Sequence, residues 1–150
     1  MELNPLTALS PIDGRYARQT DALRDIFSEC AFMNARVRVE VEWLISLSEA
    51  GFAELPHLSD HGKAFLRGLA DNFSLADCKA IKEIEKTTNH DVKAVEYWIK
   101  NQVAHDEELK SASEFVHFSC TSEDINNTSH AIMLKRGREA LADYLQQIHD

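Results

Sequence analysis

The sequence predicts an all-α fold, and three observations carry that expectation. Only 5 Gly and 3 Pro interrupt 150 residues, so good helix formers run on without breakers. Apolar residues recur at helical spacing, as in Val92, Val95, Trp98, Ile99 and Val103. Cap-forming residues stand ahead of the apolar stretches, with Ser74 and Asp77 placed as a capping box.

Residues 1–20 read as irregular, with Pro5, Pro11 and the turn pair Asp13-Gly14, followed directly by Arg15-Tyr16. Residues 21–50 hold a conflict of periods. Val37, Val39, Val41 and Trp43 alternate with charged residues as a strand would. Against that stand the i,i+4 pairs Arg36–Glu40 and Arg38–Glu42 and the stripe Phe32, Ala35, Val39, Trp43. Gly and Pro are absent from Asp21 to Ala50 and Gly51 supplies a stop, so helix wins on length, with a break near Ser28 and burial on more than one face.

Ser59 caps a short helix to about Asp71, and the Ser74 box opens one to about Lys86. The next helix spans about Asp91 to Val103, and a short helical piece covers about Glu107–Phe118. The last starts at Thr121 or Ser122 with the stripe Ile125, Ile132, Met133, Leu141, Leu145 and Ile148, and runs to Asp150. A helix of roughly 28 residues is about 40 Å long, more than a compact domain of this size covers. The chain reads as cut in mid-helix, its stripe needing more chain or another subunit.

One hundred and fifty residues amount to about one domain. A formal charge of −9 argues against a broad nucleic-acid or anionic-membrane surface. Any anionic ligand must be held by local groups against the overall field. Met1-Glu2-Leu3-Asn4 does not open a secretory signal, and no apolar run reaches the length of a membrane span. Cys30, Cys78 and Cys120 read as reduced thiols of a cytoplasmic protein, with no disulfide framework or zinc spacing.

Two polar runs stand at helix starts about thirty residues apart: Thr87-Thr88-Asn89-His90-Asp91 with Lys93, and Thr121-Ser122-Glu123-Asp124 with Asn126 and Asn127. Unpaired N–H groups and the positive end of the dipole collect at a helix start, which suits an anion. Capping alone would also account for both runs, with Asn89 as N-cap of one helix and Thr121–Asp124 as the box of the other. In the functional reading, His90 flanked by a cation binds phosphate or carboxylate or helps move a proton. Thr121 and Ser122 then accept a carboxylate. A His117–Cys120 thiol–imidazole pair lacks an orienting third residue. His57 and His61 do not share a helix face as metal ligands. His105, His130 and His149 have no companions in sequence.

Taken together, Ser10-Pro11-Ile12-Asp13-Gly14-Arg15-Tyr16, Thr87 to Glu96 (TTNHDVKAVE) and Thr121-Ser122-Glu123-Asp124-Ile125-Asn126-Asn127 resemble the adenylosuccinate lyases, of the fumarase/aspartase superfamily. The Thr-Ser segment is shared across that superfamily; the His-Asp-Val-Lys-Ala-Val-Glu run is narrower. The resemblance covers essentially the whole chain and about the first third of the family's length. It implies an N-terminal helical domain over 1–110 and the start of a long central-bundle helix over 111–150.

The chemistry implied is β-elimination of fumarate from adenylosuccinate or the succinyl-aminoimidazole-carboxamide ribotide, with no metal or organic cofactor. By similarity Arg15 and Tyr16 touch the phosphate or ribose. Asn89, His90 and Asp91 line the pocket, His90 also assisting the acid, and Thr121 and Ser122 hold a succinyl carboxylate. Lys93, Asp124 and Asn126 are further candidates. The family's histidine acid lies in a Thr-His-Gly segment and its serine base in a Gly-Ser-Ser loop. Neither occurs in this sequence, so the chain is expected to be an N-terminal piece that does not catalyse alone. A homotetramer with shared sites, a nucleotide substrate and no nucleic-acid or membrane partner complete the expectation. A non-catalytic helical module, or a relative such as argininosuccinate lyase, remains the alternative.

Overall fold

The structure is a computed structural model that describes residues 4–149. The reading of Met1-Glu2-Leu3 and the expected run of the last helix through Asp150 lie outside the described residues. Those residues form helices and turns with no strand among them. Turns over 4–20 lead through a 3-10 turn, Asp21–Leu23, into α1 (Arg24–Phe27) and α2 (Glu29–Glu49). Then come α3 (Asp60–Asp71), α4 (Leu75–Thr88), α5 (Asp91–Val103), α6 (Glu107–Ala112) and, after a 3-10 turn at Ser113–Phe115, α7 (Ser122–His149).

The break between α1 and α2 falls at Ser28, whose backbone is extended and whose Oγ accepts from the Ala31 amide at 3.2 Å. The side chain satisfies one of the free donors of the new helix. Gly51, with φ of 79°, ends α2 in the left-handed region. The strand-like alternation has a packing cause. Val37 and Val41 sit in the core, while Val39 and Trp43 line a cavity of about 550 Å³ beside Ile125 and Ile132 of α7. The helix is covered on adjacent faces, so a single stripe does not describe it.

Two pairings expected within α2 do not form. Arg36 reaches Asp91, Glu40 meets His117, Arg38 meets Asp71, and Glu42 takes a two-pronged bond from Arg67. An i,i+4 pair contributes only about 0.2–0.5 kcal/mol. A helix packed on several sides offers its charges better partners on neighbouring elements.

Around α2 the core gathers Leu66 of α3, Ile81 of α4, Val95, Trp98 and Ile99 of α5, and Leu109 of α6. Each such side chain contributes about 1.5–3 kcal/mol by leaving water. The Ser74–Asp77 capping box forms, and α4 runs two residues past the expected Lys86. The last short helical piece stops at Phe115, short of the expected Phe118.

The cysteine reading is corrected. Cys30 and Cys78 are bonded, with Cα atoms 5.7 Å apart, and Cys120 is free. The caps at Ser28 and Ser74 start α2 and α4 side by side, a proximity that 48 residues of separation conceal. His130, expected to have no companion, stacks on Phe32 with ring centroids 4.5 Å apart. The first half of α7 packs on α2 and α1, burying Ile125 and Met133. Further along, Leu141, Tyr144, Leu145 and Ile148 are exposed, Ile148 at 81%. Among the described residues no helix is long and apolar enough to cross a membrane.

Candidate functional site

Only Asn89 and His90 separate α4 from α5, so the chain must turn sharply there. Asn89 does so in the left-handed region, φ of 50°, and its amide donates to the Glu85 carbonyl at 2.8 Å. Asn tolerates that conformation better than most residues. Asn89 is therefore the C-cap of α4, not the N-cap of α5 as capping alone suggested. The N-cap of α5 is His90, whose Nδ1 accepts from the Lys93 amide at 3.2 Å. Thr88 pins the same turn, its Oγ1 accepting from the His90 amide at 3.3 Å and donating to the His90 carbonyl at 3.0 Å.

That cap assigns the imidazole tautomer. The lone pair of Nδ1 faces an amide N–H, so the proton of a neutral ring is on Nε2. Nε2 lies 3.3 Å from Ser122 Oγ, across the gap to the first residue of α7. Two helix starts thus meet through an imidazole and a hydroxyl, and both side chains reach the surface. His90 Nε2–H, the Ser122 hydroxyl and the free amides at the α7 start are donors to one incoming anion.

Asp91 sits beside this pair, half-exposed, and turns its carboxylate to Arg36. Its Oδ1 accepts from the Val92 amide at 2.9 Å and its Oδ2 from the Arg36 guanidinium at 2.6 Å. Burial alone would raise its carboxyl, but the Val92 N–H and Arg36 outweigh it and hold it below the usual value. Asn126, one turn into α7, accepts from Arg36 Nε at 2.9 Å.

Thr121 takes up the capping box that its motif also offered. Its amide and hydroxyl both donate to Asp124 Oδ2, at 2.7 and 2.8 Å. That capping box lowers the Asp124 carboxyl and occupies the donors that would have held a carboxylate. Of the two hydroxyls, Ser122's is the one turned to His90. Lys93 is likewise engaged, 2.8 Å from Glu96 and over the Tyr97 ring. Its charge faces along α5 while its amide donates to the His90 cap.

The approach to Thr121 is held from below. His117 and Ser119 both have positive φ, 65° and 60°, without being glycine. Such residues cost of order 1–3 kcal/mol each and persist where surroundings dictate them. Here α2 does so twice: Glu40, fully buried, accepts from His117 Nδ1 at 2.6 Å, and Trp43 Nε1 donates to the Phe118 carbonyl at 2.8 Å. Burial pushes the Glu40 carboxyl up, and the His117 hydrogen bond draws it partly back. The imidazole is thus committed to Glu40, not to Cys120, whose thiol burial holds high. A reactive thiolate there is disfavoured.

Arg15 and Tyr16 are both exposed and pair with each other, guanidinium to phenol oxygen and guanidinium over ring at 4.5 Å. Among the described residues no hydrogen bond or ion pair joins them to His90, Asp91 or Ser122. Sequence reasoning missed Arg36 and Glu40, treating them as partners of each other. The available signal was their position: charged residues interleaved with Ala35, Val37 and Val41 need partners from elsewhere.

A family model described as "Lyase" matches residues 14–150. Among curated relatives, the adenylosuccinate lyase of Vibrio cholerae is 56% identical over 142 residues, 94% of this chain and 31% of that protein. That of Haemophilus influenzae is 56% identical over 140 residues, 93% of this chain and 31% of the relative. That of Escherichia coli (strain K12) is 51% identical over 152 residues, all of this chain and 33% of the relative. The chain spans about a third of the length of these relatives.

Proposed function

The chain belongs to this lyase family, and from that premise we propose that it is the substrate-holding N-terminal part of an adenylosuccinate lyase. The whole protein would release fumarate from adenylosuccinate and from the succinyl-aminoimidazole-carboxamide ribotide. The observation that carries the reading is the 3.3 Å approach of His90 Nε2 to Ser122 Oγ, which joins two helix starts into one anion cradle. The relatives' names favour this lyase over argininosuccinate lyase and over a non-catalytic module.

In the proposed reaction a base removes a proton from the carbon next to a succinyl carboxylate. The resulting pair of electrons forms the C=C bond, the C–N bond breaks, and an acid protonates the departing nitrogen. Charge builds on the carboxylate as the proton leaves, so donors fixed beforehand stabilise it without reorganising. Ser122 and the α7 amides suit that carboxylate. His90, with its proton on Nε2, suits the phosphate or the region of the departing nitrogen, in an assisting role. Asn89 and Asp91 line the turn, and Arg15 and Tyr16 are proposed to leave each other for the phosphate or ribose. Each charge-assisted hydrogen bond contributes about 1.5–3 kcal/mol, so a few suffice against a net-acidic chain.

The base and the principal acid are assigned to other parts of the complete protein. The exposed side chains of Leu141, Tyr144, Leu145 and Ile148 support burial against other subunits, as in a homotetramer with shared sites. A cytoplasmic location accords with a nucleotide substrate, while the Cys30–Cys78 bond is of a kind rare in that compartment. The test is fumarate release by the complete protein from each ribotide. The proposal expects turnover that falls at least tenfold in Ser122→Ala; no release from either ribotide would overturn it.

A further inference from the structure

We infer that Arg36 is a positioning residue whose guanidinium sets the separation of the two helix starts, an inference that rests on reading their junction as the substrate site. Arg36 projects from the middle of α2 and touches neither His90 nor Ser122 by any hydrogen bond described. Its Nε donates to Asn126 on α7 at 2.9 Å and its terminal nitrogen to Asp91 on α5 at 2.6 Å. One planar group therefore holds both walls at once, each within one turn of the residue that faces the ligand. His90 is adjacent to Asp91, and Ser122 is one turn before Asn126.

The guanidinium is itself clamped. Its side chain is 7% exposed, and it lies 3.9 Å over the Phe32 ring, which also stacks with the ring of His130 on α7. A fork fixed by an aromatic face has little freedom left, so the gap it spans is fixed too. Stability is a weak reason for this ion pair, since the Asp91 side chain is half-exposed and water screens the attraction. Geometry is the stronger reason. A binding constellation must be held to within about 0.5 Å of its productive geometry, and His90 and Ser122 stand at the limit of hydrogen-bond distance.

Asn126 is thereby given a different part from the one its motif suggests. Its carbonyl oxygen is taken by Arg36, so it anchors α7 and does not meet the ligand through that atom.

The test is steady-state kinetics of the complete enzyme carrying Arg36→Lys, Asn126→Leu or both. Lysine keeps the charge and stem but offers a single ammonium, which reaches Asp91 or Asn126 and not the two together. For Arg36→Lys the expected result is a rise in KM for adenylosuccinate of about tenfold or more. The melting temperature should stay within about 3 °C of wild type and kcat within about threefold. Asn126→Leu should raise KM about fivefold or more, and the double variant should be no worse than the poorer single. Wild-type KM in Arg36→Lys, or single effects that multiply in the double variant, would overturn the inference. Where Arg36→Lys fails to fold, Asn126→Leu decides: raised KM supports the strut and unchanged KM refutes it. A complete wild-type enzyme that leaves both ribotides uncleaved would overturn the functional reading itself, and this inference with it.

Discussion

The junction of α5 and α7 and the turn segment around Arg15 are both candidate ligand-holding regions, and they are built in opposite ways. At the junction, both helix starts are fixed from beneath: His90 by the Lys93 amide, its neighbour Asp91 and Asn126 of α7 by Arg36, and the approach to Thr121 by Glu40 and Trp43. The turn segment is held by short-range bonds such as Gly14 N to the Ser10 carbonyl and Thr20 Oγ1 to the Ile12 carbonyl, and Arg15 pairs with its own neighbour. The contrast shows what a helical core can preorganise. It orders side chains at helix ends, whose backbone it already holds, and leaves a surface turn to be recruited by the ligand.

The contrast breaks first if the core under the junction is weakened. Reducing the Cys30–Cys78 bond, which closes a loop of 48 residues, should cost about 4 kcal/mol by loop entropy. Urea titration with and without reductant checks it. Alkylation of the folded, unreduced protein should label Cys120 and spare the other two. Next comes Glu40→Ala, which leaves His117 without its acceptor and a hole beneath the left-handed residues. The expected loss is about 2–4 kcal/mol in the same titration.

Ligand-dependent effects follow. In the complete enzyme His90→Ala and Arg15→Ala should each reduce turnover or affinity at least about tenfold, or about 1.4 kcal/mol. Their signatures should differ. His90→Ala removes an N-cap and so lowers stability without ligand by about 1 kcal/mol. Arg15→Ala should leave the ligand-free melting temperature unchanged. Wild-type kinetics in both would return these residues to capping and solvation.

The smallest effect is an acid limb. The Asp124 carboxyl is held below its usual 3.8 by the Thr121 amide and hydroxyl. Its folded value is lower than its unfolded one, so its share of stability is present above about pH 3.8 and is lost as pH falls through the folded value. Asp124→Asn should flatten that limb in a melting series from pH 5 to pH 2.5 (roughly the range of carboxylate titration).

Much of this architecture is legible in the sequence. Ser28, Ser59, the Ser74–Asp77 box and Gly51 mark helix ends within a residue or two, because capping is local chemistry. The two polar runs read as neighbours, and His90 and Ser122 do meet. What stayed hidden was pairing at a distance. Arg36 to Asp91 and Cys30 to Cys78 depend on how helices cross, and Arg36–Glu40 offered a plausible local substitute for the first. His90 as cap was hidden for a different reason. Asn89 looked the better cap until the two-residue link made it the left-handed end of α4.

The most direct measurement is a crystal structure of the complete enzyme with adenosine monophosphate and fumarate bound. An anionic oxygen is expected within about 3.2 Å of His90 Nε2 or Ser122 Oγ. Also expected are α5 and α7 in their ligand-free places and Arg15 swung from Tyr16 toward the phosphate. Ligand density away from both helix starts, with His90 and Ser122 still facing only each other, would contradict that arrangement.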